Sequence, residues 1–251
     1  CQMCISVTAV LFRLLVEPGT PVVTSKGGYP TFNYHVSGYG GVLHMVPYAA
    51  DHEDPATLIA KARDVSAKMV YFANPDNPMG SWHNSDAVQA LIDAMPDTTL
   101  LVLDEAYVEL APADTAPVLR PETENVIRMR TFSKAYGMAG ARVGYAIGPK
   151  SLITAFDKLR NHFGMSRISL AGALAALADQ DYFDSVVENV GQSRRQITKI
   201  AEANGLSALP SAANFVAVDC GRDGNFARAV LGHMVANGIF IRMPATAPMD
   251  R

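Results

Sequence analysis

The stretch whose residues are best suited to chemistry contains a lysine and an arginine within a run of small residues. Lys134 lies in residues 131–142, which are rich in glycine and alanine, and Arg142 follows eight positions later. Small neighbours leave the lysine amine accessible to a bound molecule. Residues 125–130, just before this stretch, predict a buried strand, and functional loops commonly lie at the ends of such strands. Taken alone, the lysine could equally be a solvated surface residue.

Two further polar motifs follow predicted strands. The strand at residues 68–73 leads into Asn-Pro-Asp-Asn-Pro-Met-Gly at residues 74–80, where two prolines fix the turn around Asn77. The strand at residues 98–103 leads into Asp104-Glu105-Ala106-Tyr107. Because the carboxyl ends of parallel strands meet at one edge of a sheet, we expect these motifs to lie together with Lys134.

The alternation of predicted strands and helices indicates an α/β fold. The strands are almost continuously apolar, which is typical of a mostly parallel sheet sandwiched by helices. We expect a large ligand-binding domain at residues 1–160 and a smaller α+β domain at residues 161–251, with a long helix at 182–204 and strands at 214–219 and 239–242. The chain begins within a predicted helix at residues 3–16 and ends soon after a predicted strand, so we expect both domains to be incomplete.

Composition excludes several classes of function. The chain has 251 residues, of which 49% are hydrophobic and 18% charged, with a net charge of −3 and no long basic run. This indicates a globular protein with no nucleic-acid partner. No apolar stretch is long enough to cross a membrane, and the histidines lack metal-ligand spacing, so we expect neither a membrane nor a metal partner. Three cysteines cannot form a full disulfide framework, which favours the cytoplasm.

The side chains at the strand ends suit one ligand. Lys134 is a potential nucleophilic amine, and Asp104, after a buried strand, needs a cationic partner. Asn77 and Tyr107 are hydrogen-bond donors. Ser133 and Arg142 form a pair that could bind an anion. An aromatic aldehyde with a protonatable ring nitrogen, a phenolate and a phosphate would use all of them. That ligand is pyridoxal 5′-phosphate, with Lys134 bonded to the aldehyde carbon and Asp104 on the ring nitrogen.

The whole set of motifs resembles the fold-type I aminotransferases of class I and II, most closely the histidinol-phosphate aminotransferase branch. Residues 74–80 match the family pattern N-P-x-N-P-x-G, and the Asp-Glu-Ala-Tyr, Ser-Lys and Gly-x-Arg-x-Gly motifs follow in the family's order. The resemblance extends over most of the chain. It implies a homodimeric enzyme that moves an amino group between a small-molecule amino donor and a 2-oxo acid. In it Lys134 would be the catalytic acid and base as well as the cofactor's anchor.

The resemblance also implies three further cofactor contacts. Phe32, in Pro-Thr-Phe, takes the place of the aromatic residue that stacks on the cofactor ring, where the family more often has tyrosine. Cys4 and Ile5 occupy positions of the family's phosphate-binding loop, whose usual side chains are missing here. Backbone N–H groups at a helix start can still bind phosphate. The family's substrate-carboxylate arginine would lie just beyond Arg251.

Two alternatives remain open from the sequence. A pyridoxal-phosphate lyase or decarboxylase would use the same cofactor residues. An inactive, cofactor-free fragment with a scaffolding role would fit the unusual phosphate loop and the two cut ends.

Overall fold

A six-stranded sheet forms the centre of the protein. The computed structural model describes residues 5–161 and 163–251. The strands are β1 (Pro21–Ser25), β2 (Val42–Val46), β3 (Met69–Ala73), β4 (Leu100–Asp104), β5 (Val126–Thr131) and β6 (Gly144–Ile147). Their order is β2-β1-β3-β4-β5-β6, and every neighbouring pair is parallel except the antiparallel pair β5–β6. The predicted α/β fold with a mostly parallel sheet is confirmed.

Helices cover both faces of the sheet. The five helices of this region are α1 (Ile5–Leu15), α2 (Thr31–Gly38), α3 (Pro55–Asp64), α4 (Ser85–Ala94) and α5 (Lys150–Phe156). Successive strand residues point to opposite faces. Met69 and Tyr71 therefore pack with α1, α2 and α5, while Val70 and Phe72 pack with α3 and α4. Both faces of β3 are buried, which explains its unbroken apolar sequence.

Helix α2 follows the glycine-containing turn at residues 26–28. Pro30 precedes the helix, and Phe32 and Val36, four positions apart, are both buried on its inner face. A proline just before a helix and an i, i+4 apolar pair are both ordinary helix signals.

The carboxyl-terminal part is dominated by helices. Helices α6 (Arg167–Ala178), α7 (Gln180–Ala203) and α8 (Gly224–Ala236) accompany a two-stranded antiparallel sheet of β7 (Ser207–Ala208) and β8 (Val218–Asp219). The predicted strand at residues 214–219 is thus reduced to its last two residues. The predicted strand at 239–242 is wrong: no strand pairs with it, and Phe240 is 78% exposed. The division of the chain at residue 160 stays a prediction.

No helix in the described part of the chain has the length and apolar character needed to cross a bilayer.

A buried ion-pair network fixes the loop that follows β4. Glu105 is fully buried and accepts hydrogen bonds from Nε of Arg128 at 2.9 Å and from Nε of Arg130 at 2.8 Å. Arg128 Nη2 also contacts Glu105, and its Nη1 donates to the carbonyls of Pro117 and Val118. Both cations come from β5, so the network ties the end of β4 to its neighbour. Glu105 is therefore a structural residue beside the site.

We predict that Glu105→Ala destabilises the protein by about 3–5 kcal/mol, because Arg128 would be left as a buried charge without a partner. Urea unfolding at pH 7 measures the change. Glu122→Ala, which removes an exposed carboxylate, should stay within about 0.5 kcal/mol of wild type. Equal effects of the two substitutions would show that the network contributes no more than a surface group.

Candidate active site

A cavity lies at the carboxyl ends of β3 and β4. Its lining combines aromatic, carboxylate and amide side chains: Tyr29, Tyr71, Ala73, Pro75, Asn77, Asp104, Ala106 and Tyr107. A parallel sheet exposes the carboxyl ends of its strands at one edge, where ligands bind in open α/β folds. The sheet therefore brings the motifs after β3 and β4 to the same place.

Asp104, the last residue of β4, carries a buried carboxylate. Its Oδ2 accepts a hydrogen bond from the Tyr71 hydroxyl at 2.7 Å, and its Oδ1 accepts one from the Ala106 N–H at 3.0 Å. Burial raises the pKa of the Asp104 carboxyl to about 6, against the opposing effect of these bonds and of Lys134. Among the described residues, none forms an ion pair with Asp104. The site thus holds an acidic group whose charge lacks a bonded cation.

Lys134 reaches the same region from the loop after β5. Its Nζ lies 4.5 Å from the centroid of the Tyr107 ring. Partial burial lowers the pKa of the Lys134 amine to about 8, although Asp104 acts in the opposite direction. The lysine loop is closed by hydrogen bonds from Gly137 N–H to the Lys134 carbonyl and from Met138 N–H to the Phe132 carbonyl, both at 2.9 Å. A neutral, nucleophilic amine is therefore accessible just above neutral pH.

Asn77 and Tyr107, which both line the cavity, are hydrogen-bonded to each other. The Asn77 amide Nδ2 donates to the Tyr107 hydroxyl oxygen at 3.0 Å. Burial raises the pKa of the Tyr107 phenol, so its proton remains available for donation to a further acceptor. The ring packs edge-on against Phe215, with centroids 5.6 Å apart. These contacts hold two hydrogen-bond donors at one point of the cavity wall.

A glycine closes the turn that presents Asn77. Gly80 has φ +75°, a conformation that L side chains rarely adopt, and a Cβ there would overlap the Ser211 side chain. Its N–H donates to the Asp76 carbonyl at 3.2 Å, and the Asp76 N–H donates to the Ser81 carbonyl at 2.9 Å. The close approach to Ser211 also brings the carboxyl-terminal part of the chain against the turn.

Ser133 and Arg142 occupy the two ends of the lysine loop. The Ser133 N–H donates to the Thr131 hydroxyl at 3.1 Å, and that hydroxyl donates to Ser133 Oγ at 3.0 Å. Arg142 is exposed, has left-handed backbone with φ 58°, and donates from Nη1 to the Ala139 carbonyl at 2.7 Å. Their common role toward an anion stays a prediction.

Phe32, Cys4 and Ile5 stay predictions as cofactor contacts. Phe32 is 1% exposed and belongs to the core, where its ring stacks on Tyr71 with centroids 4.3 Å apart. It does not line the cavity, so its stacking on a ligand stays a prediction. Cys4 lies outside the described residues. Ile5 begins α1, and its role toward phosphate is likewise untested.

Two tyrosines that line the cavity were not predicted as site residues. Tyr71 lies two positions before the end of β3, on the same face as Ala73, which pairs in register with Asp104. That register could not be read from the sequence, and without it Tyr71 looks like an ordinary core residue of a strand. Tyr29 had a visible signal in the turn Gly27-Gly28-Tyr29-Pro30, where the structure places an aromatic ring at the cavity.

Within residues 5–161 and 163–251, no group of three or more histidine, cysteine, aspartate and glutamate side chains is placed to hold a metal ion.

We predict that Tyr71→Phe destabilises the protein more at pH 8 than at pH 4.5. The substitution removes a donor to the Asp104 carboxylate, which raises the pKa of Asp104 further. A raised folded-state pKa gives stability at low pH that is lost as the pH rises through it. The loss at pH 8 should be about 1–3 kcal/mol, by urea unfolding. Tyr34→Phe, at a 71% exposed tyrosine, should change little at either pH. If Tyr71→Phe lowered the free energy of unfolding equally at both pH values, Tyr71 would not be a donor that stabilises the ionised Asp104.

Comparisons with known proteins agree with this geometry. Residues 4–246 match the family model described as "Aminotransferase class I and II". The chain is 35% identical over 240 residues to the histidinol-phosphate aminotransferase of Geobacillus thermodenitrificans, covering 94% of this chain and 64% of that protein. It is also 35% identical over 240 residues to histidinol-phosphate aminotransferase 2 of Pseudomonas aeruginosa, covering 92% of this chain and 62% of that protein.

A solved structure gives the same result. The crystal structure of histidinol-phosphate aminotransferase from Sinorhizobium meliloti, in complex with pyridoxal 5′-phosphate, superposes with a TM-score of 0.94 at 56% identity, covering 97% of this chain and 67% of that one. The chain thus spans less than two thirds of the length of the two curated relatives, at 64% and 62%. The motifs, the sheet order and these matches lead to one conclusion: the chain belongs to the class I and II aminotransferase family.

Proposed function

We propose that the protein is a pyridoxal 5′-phosphate-dependent aminotransferase that moves an amino group between an amino donor and a 2-oxo acid. The observation that carries the proposal is the convergence of the Lys134 amine, the Asp104 carboxylate and the Asn77–Tyr107 pair around one cavity. The names of the similar proteins support histidinol phosphate as the donor. Aromatic amino acids are the related class of donor that the family resemblance implies.

Asp104 fits the pyridine nitrogen of the cofactor, which is the contact that needs a buried negative charge. Asp104 is buried, has two hydrogen-bond donors and has no ion-pair partner among the described residues. Burying an unpaired carboxylate is costly, and its raised pKa of about 6 reflects that cost. A protonated pyridine nitrogen is a flat cation that would supply the missing charge.

The other polar groups fit the remaining parts of the same molecule. The Asn77 amide and the Tyr107 hydroxyl, which are hydrogen-bonded to each other, would both donate to the phenolate oxygen of the cofactor. Lys134, with its lowered pKa, would bond to the aldehyde carbon. Ser133 and Arg142 would hold the phosphate, with the arginine acting as a charged fork.

The chemistry divides between the cofactor and the chain. When bound, pyridoxal phosphate supplies a conjugated ring that withdraws electron density from the substrate Cα. Lys134 Nζ would move the proton between the substrate Cα and the cofactor carbon C4′. An amine with a pKa of about 8 is suited to both directions of this transfer near neutral pH. Asp104 would keep the ring nitrogen protonated.

A cytoplasmic location and a homodimeric assembly also belong to the proposal. The support for an assembly is the apolar surface of α6, where Ile168 and Leu174 are largely exposed. Exposed apolar patches of this kind commonly mark a protein–protein contact.

We predict that Lys134→Ala abolishes amino transfer while the fold persists. The assay mixes the cofactor-loaded protein with histidinol phosphate or an aromatic amino acid, and follows the change in cofactor absorbance together with the 2-oxo product. Lys150→Ala, which removes an exposed lysine at the start of α5, is the matched control and should keep wild-type rates. Wild-type rates in Lys134→Ala would overturn the catalytic role of Lys134, whereas no amino transfer by the wild-type protein would overturn the function. Release of CO2 or ammonia without an amino acceptor would favour a lyase instead.

Asp104→Asn should lower kcat by about tenfold to a hundredfold or more. The amide keeps the shape of the carboxyl group but removes the charge that holds the ring nitrogen protonated, and a hydrogen bond to a charged group contributes about 1.5–3 kcal/mol. Steady-state kinetics of the same amino-transfer assay measure the effect. A kcat within twofold of wild type would show that Asp104 does not act on the ring.

A further inference from the structure

A second pair of buried carboxyl groups lies directly behind the site. Glu53 precedes α3, and Asp76 immediately precedes Asn77. Each residue is 2% exposed, and the two carboxyl groups are hydrogen-bonded to each other. Neither takes part in an ion pair with any described residue. Nothing in the proposed chemistry above uses them.

Every oxygen of the pair has a neutral donor. The Ser25 hydroxyl donates to Glu53 Oε2 at 2.9 Å, and the Ala73 N–H donates to Glu53 Oε1 at 3.2 Å. The Tyr48 hydroxyl donates to Asp76 Oδ1 at 2.9 Å, and the Met79 N–H donates to Asp76 Oδ2 at 3.2 Å. Two touching carboxylates without a cation cannot both be ionised at neutral pH. One proton must therefore lie between them.

The proton belongs to the pair. Burial raises the pKa of both carboxyl groups. Both also accept hydrogen bonds that favour a charged oxygen: Glu53 from Ser25 and the Ala73 N–H, and Asp76 from Tyr48 and the Met79 N–H. The two carboxyl groups therefore titrate together and share one proton.

The surrounding titratable groups do not supply a charge to this pair. Tyr48 and Tyr71 face it, and the pKa of each phenol is raised well above its ordinary value by burial, so both stay neutral. His83 Nε2 lies 2.8 Å from the Glu53 main-chain carbonyl, and burial lowers the pKa of this imidazole. Asp104, reached through Tyr71, titrates near pH 6 and adds its own pH dependence.

The pair supports the turn that carries Asn77. Asp76 holds the turn from inside through the Met79 N–H, and the next residue donates its amide to Tyr107. We propose that Glu53 is a positioning residue, which shares one proton with Asp76 and thereby fixes Asn77 against Tyr107. Its relevance to the cofactor rests on the proposed function, because Asn77 and Tyr107 are the groups it would place.

The first test needs no cofactor. Glu53→Gln replaces one carboxyl group of the pair with a permanent donor, so unfolding no longer releases the shared proton. In wild type the folded chain retains it while the unfolded chain loses it near pH 4.5. Above that pH the unfolding constant of wild type should therefore rise more steeply than that of Glu53→Gln, by up to about tenfold per pH unit. Asp104 contributes equally to both.

Urea unfolding between pH 5 and pH 8 measures the two slopes, with Glu122→Gln at an exposed carboxylate as the control that should follow wild type. Identical slopes for wild type and Glu53→Gln would overturn the shared proton.

The second test addresses the positioning of Asn77. Fluorescence titration with pyridoxal 5′-phosphate at pH 7 should give Glu53→Gln an affinity within about threefold of wild type. Glu53→Met, which fills the space without a donor, should bind about tenfold to a hundredfold more weakly because it leaves the Asp76 charge unpaired. Circular dichroism verifies that both variants are folded.

Equal affinities of Glu53→Met and Glu53→Gln would overturn the positioning role. If wild type itself binds no cofactor, the proposed function fails and the positioning role fails with it, whereas the unfolding slopes still decide whether the proton is shared.

Discussion

The constraint on which the site depends is the burial of the Asp104 carboxylate without a bonded cation. The sheet places this group at the end of its central strand β4, between β3 and β5, where water is excluded. Tyr71 and the Ala106 N–H stabilise it only in part, since its pKa remains raised to about 6. A folded protein retains such a group when a ligand completes its charge balance. The same cavity is lined by the two donors Asn77 and Tyr107, and the half-buried Lys134 amine lies beside Tyr107.

Three buried acidic arrangements near this edge of the sheet are stabilised in three different ways. Glu105 is neutralised by two arginines from β5 and is purely structural. Glu53 and Asp76 reduce their joint charge through one proton and four neutral donors. Asp104 has neither a bonded cation nor a shared proton among the described residues. The contrast explains why neighbouring carboxyl groups in similar burial can have different roles, and it separates the residue that faces the ligand from those that support it.

The sequence predicted the parts of this arrangement that depend on local order. The apolar strands, the proline-fixed turn at Asn77 and the small residues around Lys134 were visible, and parallel strands then required their ends to meet. The parts that depend on register or packing were not visible. Tyr71 reaches Asp104 only because Ala73 pairs with Asp104, and Phe32 enters the core because residues 31–38 form a helix. The strand expected at 239–242 had suitable residues, but within residues 5–161 and 163–251 no strand pairs with it.

The most direct measurement is to load the full protein with pyridoxal 5′-phosphate, reduce it with sodium borohydride and map the modified peptide by mass spectrometry. We expect one reduced cofactor per chain, attached to the peptide that contains Lys134 and lost in Lys134→Ala. Reduction that leaves this peptide unmodified, or that places the cofactor on another lysine, would contradict the central claim that Lys134 and Asp104 together form the cofactor site.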